Sequence, residues 1–460
     1  VPKVFEDARV DFDEITGEAE TALHRAAAAL IPEGASQLVL APAPLPGTRY
    51  ALLTPGAGPV AEEGRPQPVQ EVAEGVLVEL PEGPPLSTRA LMPAERAGTA
   101  SDGATALAPE DGGAVLENRY IRVTLGVHGM LTSVFDKRAG REVLKKGMFG
   151  NKLELFEDRP ISWDAWDIDI FFEDRGEVVT AVNSLRVVET GPLRACVEIT
   201  RAFRRSVLRQ RIVITRSSAR IDFETDVDWH ETHLLLKAAF PVAVRAARAA
   251  FDIQWGQIDR PTHRNTSWDA AQFEVPAQKW ADLSEGDYGV ALLNDCKYGY
   301  DVRSDVLRLS LIKSATMPDN TADQGRHRFT YALLPHQGNS RIDVRREAYA
   351  LNMPPRIFSG PGARQVTERP ILSCAAPQVV IETIKPAEDG NGVIARLYEA
   401  HNTRGSVRLD LHPAIHRVTR CGVLETETTP LVLEANTVDL SLGNCEIVSL
   451  RLEFSPNAPG

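Results

Sequence analysis

The chain has 460 residues, of which 43% are apolar and 25% charged, and carries a net charge of −12. That length calls for roughly two to four domains, and the composition argues against wholesale disorder. The acidic balance argues against nucleic acid or an anionic membrane as a partner, because phosphate binding needs a Lys/Arg surplus on some face.

The five cysteines (Cys196, Cys296, Cys374, Cys421 and Cys445) are scattered and form no CxxC pair. They read as reduced thiols of a cytoplasmic protein. There is no signal-peptide pattern and no apolar run of membrane-spanning length. The sequon Asn265-Thr266-Ser267 carries little weight in such a protein.

Residues 4–30 hold the one long helical pattern. Phe5, Ala8, Phe12, Ile15, Ala19, Ala22, Ala26 and Ala29 recur at three- and four-residue steps, and Pro32-Glu33-Gly34 ends the run. The stripe is expected to belong to a helical bundle whose other members precede Val1; packing on a β-sheet of the same chain is the alternative. Residues 35–96 mix short β-like runs (Gln37–Leu40, Arg49–Leu53, Val76–Leu80) with prolines. With the small, polar stretch 97–113 as a linker, 35–113 is expected to form a small β domain.

From 114 to 355 β-signals dominate, and a large antiparallel β-sandwich is expected. Tyr120–Leu125 and Leu131–Asp136 read as a hairpin. A second hairpin is legible in register around Arg216-Ser217-Ser218-Ala219. Closing that turn sets Ile214 opposite Ile221, Ile212 opposite Phe223, Arg211 opposite Glu224 and Arg209 opposite Asp226. Apolar pairs fall on one face and opposite charges on the other. Residues 356–372 read as a connector. A C-terminal β-sandwich is expected over 373–460, with strands at Val379–Thr383, Val393–Tyr398, Val407–Leu411, Leu431–Ala435 and Glu446–Phe454. The fold class is therefore mainly β, several sandwiches preceded by one bundle helix.

All six tryptophans fall between 163 and 280, densest in Trp163-Asp164-Ala165-Trp166-Asp167-Ile168-Asp169. That chemistry suits a sugar: indole faces pack on the C–H face of a pyranose, and carboxylates accept bonds from neighbouring hydroxyls. Trp163, Asp164, Trp166 and Asp167 are the candidate substrate-binding residues. Core packing of the rings and turn-capping by the Asp residues is the bland alternative. Asp164 and Asp167 could be read as a glycosidase carboxyl pair, but with 63 acidic residues such pairs arise trivially. His230-Glu231-Thr232-His233 is not HExxH, and extended geometry sends His230 and His233 to opposite faces, against a shared metal. The loop Asp319–Gly325 loosely resembles a calcium loop but has Thr330 where an EF-hand needs Glu.

Longer motifs narrow this further. Trp163-Asp164-Ala165-Trp166-Asp167, Arg260-Pro261-Thr262-His263-Arg264-Asn265-Thr266-Ser267-Trp268-Asp269, Asp282-Leu283-Ser284-Glu285, Leu293-Asn294-Asp295-Cys296-Lys297-Tyr298-Gly299 and Thr321-Ala322-Asp323-Gln324-Gly325-Arg326-His327 keep one order along the chain. Together with Phe329–Leu333, Pro335-His336 and Leu397–Ala400, this set resembles glycoside hydrolase family 38, specifically its cytosolic and vacuolar α-mannosidases. Ser162 departs from the pattern, since an aromatic residue often precedes the first Trp there.

The resemblance implies a retaining α-mannosidase acting on mannose-containing oligosaccharides. It implies a catalytic Asp and zinc ligands in an N-terminal domain, with Val1 a few residues past the last of them. This chain would then hold no catalytic or metal-ligating residue and be inactive alone. Its partners would be that N-terminal domain and further copies of the protein. His263, Asn265, Asp295, Lys297 and His327 are motif residues that either reach the sugar or tie strands together. A standalone, non-catalytic carbohydrate-binding scaffold, and a different sugar-active enzyme with its own acid pair, stay open.

Overall fold

The computed structural model describes residues 2–110, 112–338, 341–360, 370–426 and 428–455. Most of the expected connector, 361–369, lies outside the described residues. The architecture is mainly β, as expected, with every strand ladder antiparallel.

The helix Pro2–Leu30 starts the fold. Its last turns pack through Leu23 and Ala27 against Ile31, Leu38 and Phe358. Glu20 pairs with Arg356 at 2.5 Å. The rest of the apolar stripe faces solvent, with Phe5, Phe12 and Ile15 all exposed. Two small sheets follow. One runs through Arg356–Ser359, Gln37–Ala41 and Ser87–Pro93, the other through Gly47–Leu53, Gly75–Gly83 and Val69–Val72. They share a core of Val39, Ala51, Val78, Leu80 and Leu91.

The largest body sets a nine-stranded sheet against a six-stranded one over a single continuous core that includes Trp229, Trp280, Phe223 and Phe240. The hairpin Ser206–Thr215/Ile221–Trp229 has the register read from sequence: Ile214↔Ile221, Ile212↔Phe223, Arg211↔Glu224 and Arg209↔Asp226. The alternation is sharp, with Ile221, Phe223, Thr225, Val227 and Trp229 buried. One charge pair differs in detail. Arg211 meets Glu224 at 3.4 Å, but Arg209 turns to Glu198 and Asp226 is taken by Arg326 and Arg328. The last two Arg residues come from Gly325–Gln337, which inserts beside Ile221–Trp229 as the sheet's central strand.

Inside the sandwich, Tyr331 Oη donates to Asn151 Oδ1 (2.6 Å), Asn151 Nδ2 to Gln210 Oε1 (2.7 Å), and Gln210 Nε2 to Tyr331 Oη (2.9 Å). This closed ring satisfies polar atoms that burial would otherwise strand.

Three elements depart from the sequence reading. Ile342–Asn352 is a helix packed through Val344, Ala348 and Tyr349, at the end of a region where β-signals dominate. Leu431–Ala435 is not a strand; Ala435 and Asn436 both have positive φ and turn the chain into the strand Thr437–Leu442. Ile415–Cys421 supplies a strand that the apolar runs did not mark. The C-terminal sheets close on Leu397, Leu409, Leu440 and Leu450.

Candidate functional site

The strand Lys152–Glu157 belongs to the six-stranded sheet, and the Trp-rich loop begins as it ends. Asp158 is buried; its N–H donates to His233 O at 2.9 Å and its carboxylate takes the Lys313 ammonium. Burial pushes the Asp158 carboxyl up despite that lysine. Five residues later the chain turns sharply. Trp163 adopts φ 62°, and its carbonyl accepts the N–H groups of Trp166 (2.7 Å) and Asp167 (2.9 Å). A left-handed backbone at a bulky residue persists only where its surroundings hold it.

What holds it is Asp164. Its Oδ2 accepts the N–H of Thr316 at 2.7 Å, the N–H of Met317 at 3.0 Å and the Thr316 hydroxyl at 3.2 Å. His233 completes the cluster, with Nδ1 3.6 Å from Asp164 Oδ1 and Nε2 3.0 Å from Thr316 Oγ1. Burial opposes ionisation of Asp164, but the Thr316 and Met317 donors outweigh it and hold the carboxyl below the usual carboxylate range. Trp163 and Trp166 are then left 72% and 71% exposed, their rings 6.4 Å apart and at 79° to each other. Asp167 is exposed; one carboxylate oxygen accepts Ile168 N–H at 2.9 Å, and no other hydrogen bond engages that carboxylate among the described residues.

Behind the loop, Phe172 packs edge-on against Phe156 and beside Phe273. Next to it, Glu173 gathers Arg264 (3.1 Å), Arg303 (3.0 Å) and Arg308. Arg308 also holds Asp301 at 2.8 Å, and Asp301 shares the wholly buried Lys237 with Glu274. Segments 163–174 and 260–274, distant in sequence, are thus locked side by side by a partly buried ionic network. Trp268, 82% exposed, stands on the short helix Ser267–Ala271, whose N-terminus Thr266 and Asp269 cap reciprocally.

Other motif residues hold strands and turns together. Asp295 Oδ2 accepts Thr330 N–H at 2.9 Å, His327 Nε2 meets Asp323 O at 2.8 Å, and the Lys297 ammonium sits 4.5 Å from the Phe329 ring centroid. His263 Nδ1 lies 3.5 Å from Asp269, and Asn265 is exposed. Asp282 and His336, from two separate motifs, meet in the core at 2.8 Å. His230 turns to Asp228 at 2.9 Å while His233 faces Asp164, so the two do not converge. Asp319 accepts Thr321 N–H in a local turn. Among the described residues no three His, Cys, Asp or Glu side chains are placed to hold a metal ion.

Thr316 and Met317 had no signal in the sequence, because a backbone N–H more than 150 residues away from its acceptor leaves no local pattern, and His233 drew attention only as a metal-ligand candidate.

Profiles described as the glycosyl hydrolases family 38 C-terminal domain and C-terminal β-sandwich domain match residues 116–321 and 378–450, together more than half of the chain. The chain belongs to glycoside hydrolase family 38. Within this family it is 36% identical to human alpha-mannosidase 2C1 across 99% of its own length, and 41% identical to mouse alpha-mannosidase 2C1 across 74%. It spans less than half of either relative, 44% and 34% respectively. An α-mannosidase structure from Enterococcus faecalis V583 shares its fold, with a TM-score of 0.69 at 17% identity, over 93% of this chain and 57% of that one. No helix among the described residues is long and apolar enough to cross a membrane.

Proposed function

We propose that this chain is the C-terminal part of a cytoplasmic, retaining α-mannosidase that removes terminal α-linked mannose from oligosaccharides. In this reading the turn Trp163–Asp167 forms one wall of the active site. The carrying observation is the pair of indoles, more than two-thirds exposed, on a turn clamped by Asp164. Exposing two large rings on a fixed turn leaves apolar area in water that a sugar's C–H face would cover. Asp164 spends its lone pairs on Thr316 and Met317 and acts as the anchor, whereas Asp167 keeps an oxygen free for a sugar hydroxyl.

The bond-breaking step belongs to an N-terminal catalytic part, with an Asp nucleophile and the zinc that the family resemblance implies. The described residues here offer no donor set that fits a metal, so no step is routed through one in this chain. The chain's contribution is to bind and orient the mannoside and to complete the scaffold, in an assembly that also contains further copies of the protein.

The test is Trp163→Ala and Trp166→Ala in the full-length enzyme, assayed on an aryl α-mannoside. Loss of a stacking wall raises KM about tenfold, roughly 1.4 kcal/mol, with kcat much less changed. Unchanged KM in both variants would remove the wall from the active site. Hydrolysis by residues 1–460 alone would place the chemistry within this chain instead.

A further inference from the structure

Three parts of the fold meet around a cavity of about 460 Å³. Its walls come from the start of Gly47–Leu53, from the turn between Ser206–Thr215 and Ile221–Trp229, and from the second half of the helix Ile342–Asn352, with Arg119 and Tyr120, just ahead of Ile121–Leu125, beside them. Four guanidinium groups line it (Arg49, Arg119, Arg220 and Arg346) against two carboxylates, Glu82 and Glu347.

The ordinary explanation is an internal salt-bridge cluster, and it accounts for part of the lining. Glu347 is engaged by Ser218 Oγ and Arg220 Nη1, both at 2.9 Å, and Arg220 is also held by Asp222. Arg346 Nη1 reaches Asp343 at 3.0 Å.

It does not account for the rest. Arg49 is only 6% exposed, yet its donors go to two backbone carbonyls, Thr48 O (3.1 Å) and Leu45 O (2.7 Å). No carboxylate lies within 4 Å of it among the described residues. A buried cation with no carboxylate in direct contact is costly: burial pushes the Arg49 guanidinium below its ordinary value, and the more distant Glu347 and Glu82 offset this only in part. Arg346 Nε is buried with no acceptor among the described residues. Arg119, exposed at the mouth, donates to the Tyr120 hydroxyl and lies 4.6 Å from that ring's centroid, with no carboxylate paired to it among the described residues. Gly47 brings two of these together: a Cβ there would lie 2.4 Å from Arg49 Nη1 and 3.1 Å from Arg346 Cδ. Glu82, exposed at the rim, is the one carboxylate of the lining with no hydrogen bond or ion pair among the described residues, though its charge acts on Arg49.

We propose that this cavity binds a phosphate monoester of a small polyol, with the phosphate held by Arg49, Arg119 and Arg346. Guanidinium groups offer planar, paired N–H donors and no acceptor, so donors left over in one cavity call for a ligand made of acceptors. A phosphate supplies three terminal oxygens and the missing negative charge. The volume falls in the range of small-molecule sites and exceeds what a bare oxyanion needs. Leu351, Pro354 and Tyr120 provide a less polar side for a carbon skeleton. Because the three walls belong to separate sheets and a helix, the ligand cross-links them and raises resistance to unfolding. The site is independent of the mannosidase reading.

Thermal unfolding of the chain at constant ionic strength tests this, with inorganic phosphate, mannose 6-phosphate, mannose or NaCl as the probe. Mannose 6-phosphate and phosphate should raise Tm in a saturable way, the ester more at equal concentration, while mannose should not exceed NaCl. Arg119→Gln and Arg346→Gln should each lose at least half of that shift, and Arg122→Gln on the neighbouring strand should keep it. These variants leave the backbone bonds of Arg49 intact and so preserve the fold. A shift no larger than that of NaCl, or one undiminished in both variants, overturns the site. A response to inorganic phosphate but not to the ester overturns the polyol assignment.

Discussion

Asp164 and Thr316, 152 positions apart, are joined by a 2.7 Å bond from a backbone N–H to a carboxylate oxygen. That bond, with its Met317 neighbour, converts a solvent-facing loop into a fixed turn. Asp164→Asn keeps the shape but loses the charge that strengthens these bonds. The expected cost is about 1 kcal/mol, discounted for partial solvent access. A red shift and quenching of Trp fluorescence should accompany it as the indoles loosen. Because the Asp164 carboxyl is held below its ordinary value, the clamp is fully present above the usual carboxylate range and lost as pH falls through the lowered value. Fluorescence titration into acid should show that transition in the parent protein and not in the variant.

Lys237 is the most enclosed charge in the network behind the loop. Its ammonium is wholly buried, bonded to Glu274 and 2.7 Å from Asp301. Burial works against the charge, but Asp301 and Glu274 keep it above the ordinary lysine value. Lys237→Met strands two carboxylates and should cost about 3–5 kcal/mol in urea unfolding. In the parent, this contribution is complete below the ordinary lysine value and disappears only as pH rises through the higher folded one.

The core ring of Tyr331, Asn151 and Gln210 joins two strands of the nine-stranded sheet to the residue just ahead of Lys152–Glu157 in the six-stranded one. Tyr331→Phe removes one hydroxyl and leaves Asn151 Oδ1 and Gln210 Nε2 each short of a partner. The expected loss is about 1–3 kcal/mol with an unchanged m-value, measured by denaturant unfolding.

Asp282 accepts His336 Nε2 (2.8 Å), Arg341 Nε (2.6 Å) and Ser284 Oγ (2.6 Å) with its side chain fully buried. Burial raises its carboxyl, but His336 and Arg341 win and it lies below the ordinary value. Its stabilisation is present above the ordinary carboxylate value and is lost as pH falls through the lowered one. Asp282→Asn should destabilise by about 3–5 kcal/mol near neutrality and flatten the dependence of stability on pH in acid.

Local chemistry was legible where neighbours in space are neighbours in sequence. The hairpin register followed from Ile212, Ile214, Phe223 and Glu224, because a two-strand unit closes on itself. Nothing local announced that Gly325–Gln337 would slot between Ile221–Trp229 and Tyr288–Asn294, since that pairing depends on a strand about 100 residues on. The helix Ile342–Asn352 was hidden by its length: eleven residues with four charges in the first six resemble an exposed turn as much as an amphipathic helix. Leu431–Ala435 shows the reverse error, an apolar run whose Val432 ends in solvent. At the candidate site, composition drew attention to Trp163–Asp167, while the Thr316 and Met317 N–H groups that fix it carry no side-chain signature.

The Asp164 clamp has a consequence for redesign. Thr316 and Met317 begin the segment that runs directly into Gly325–Gln337, the central strand of the nine-stranded sheet. The turn bearing the two indoles is therefore tied to the connection that leaves Val306–Lys313, in its own six-stranded sheet, and enters the central strand of the other sheet. Changing the length of either loop alone shifts the carboxylate away from its two amides. Residues 158–174 and 313–324 form one transplantable cassette: loop exchange between homologous scaffolds should succeed when both travel together and fail when one travels alone.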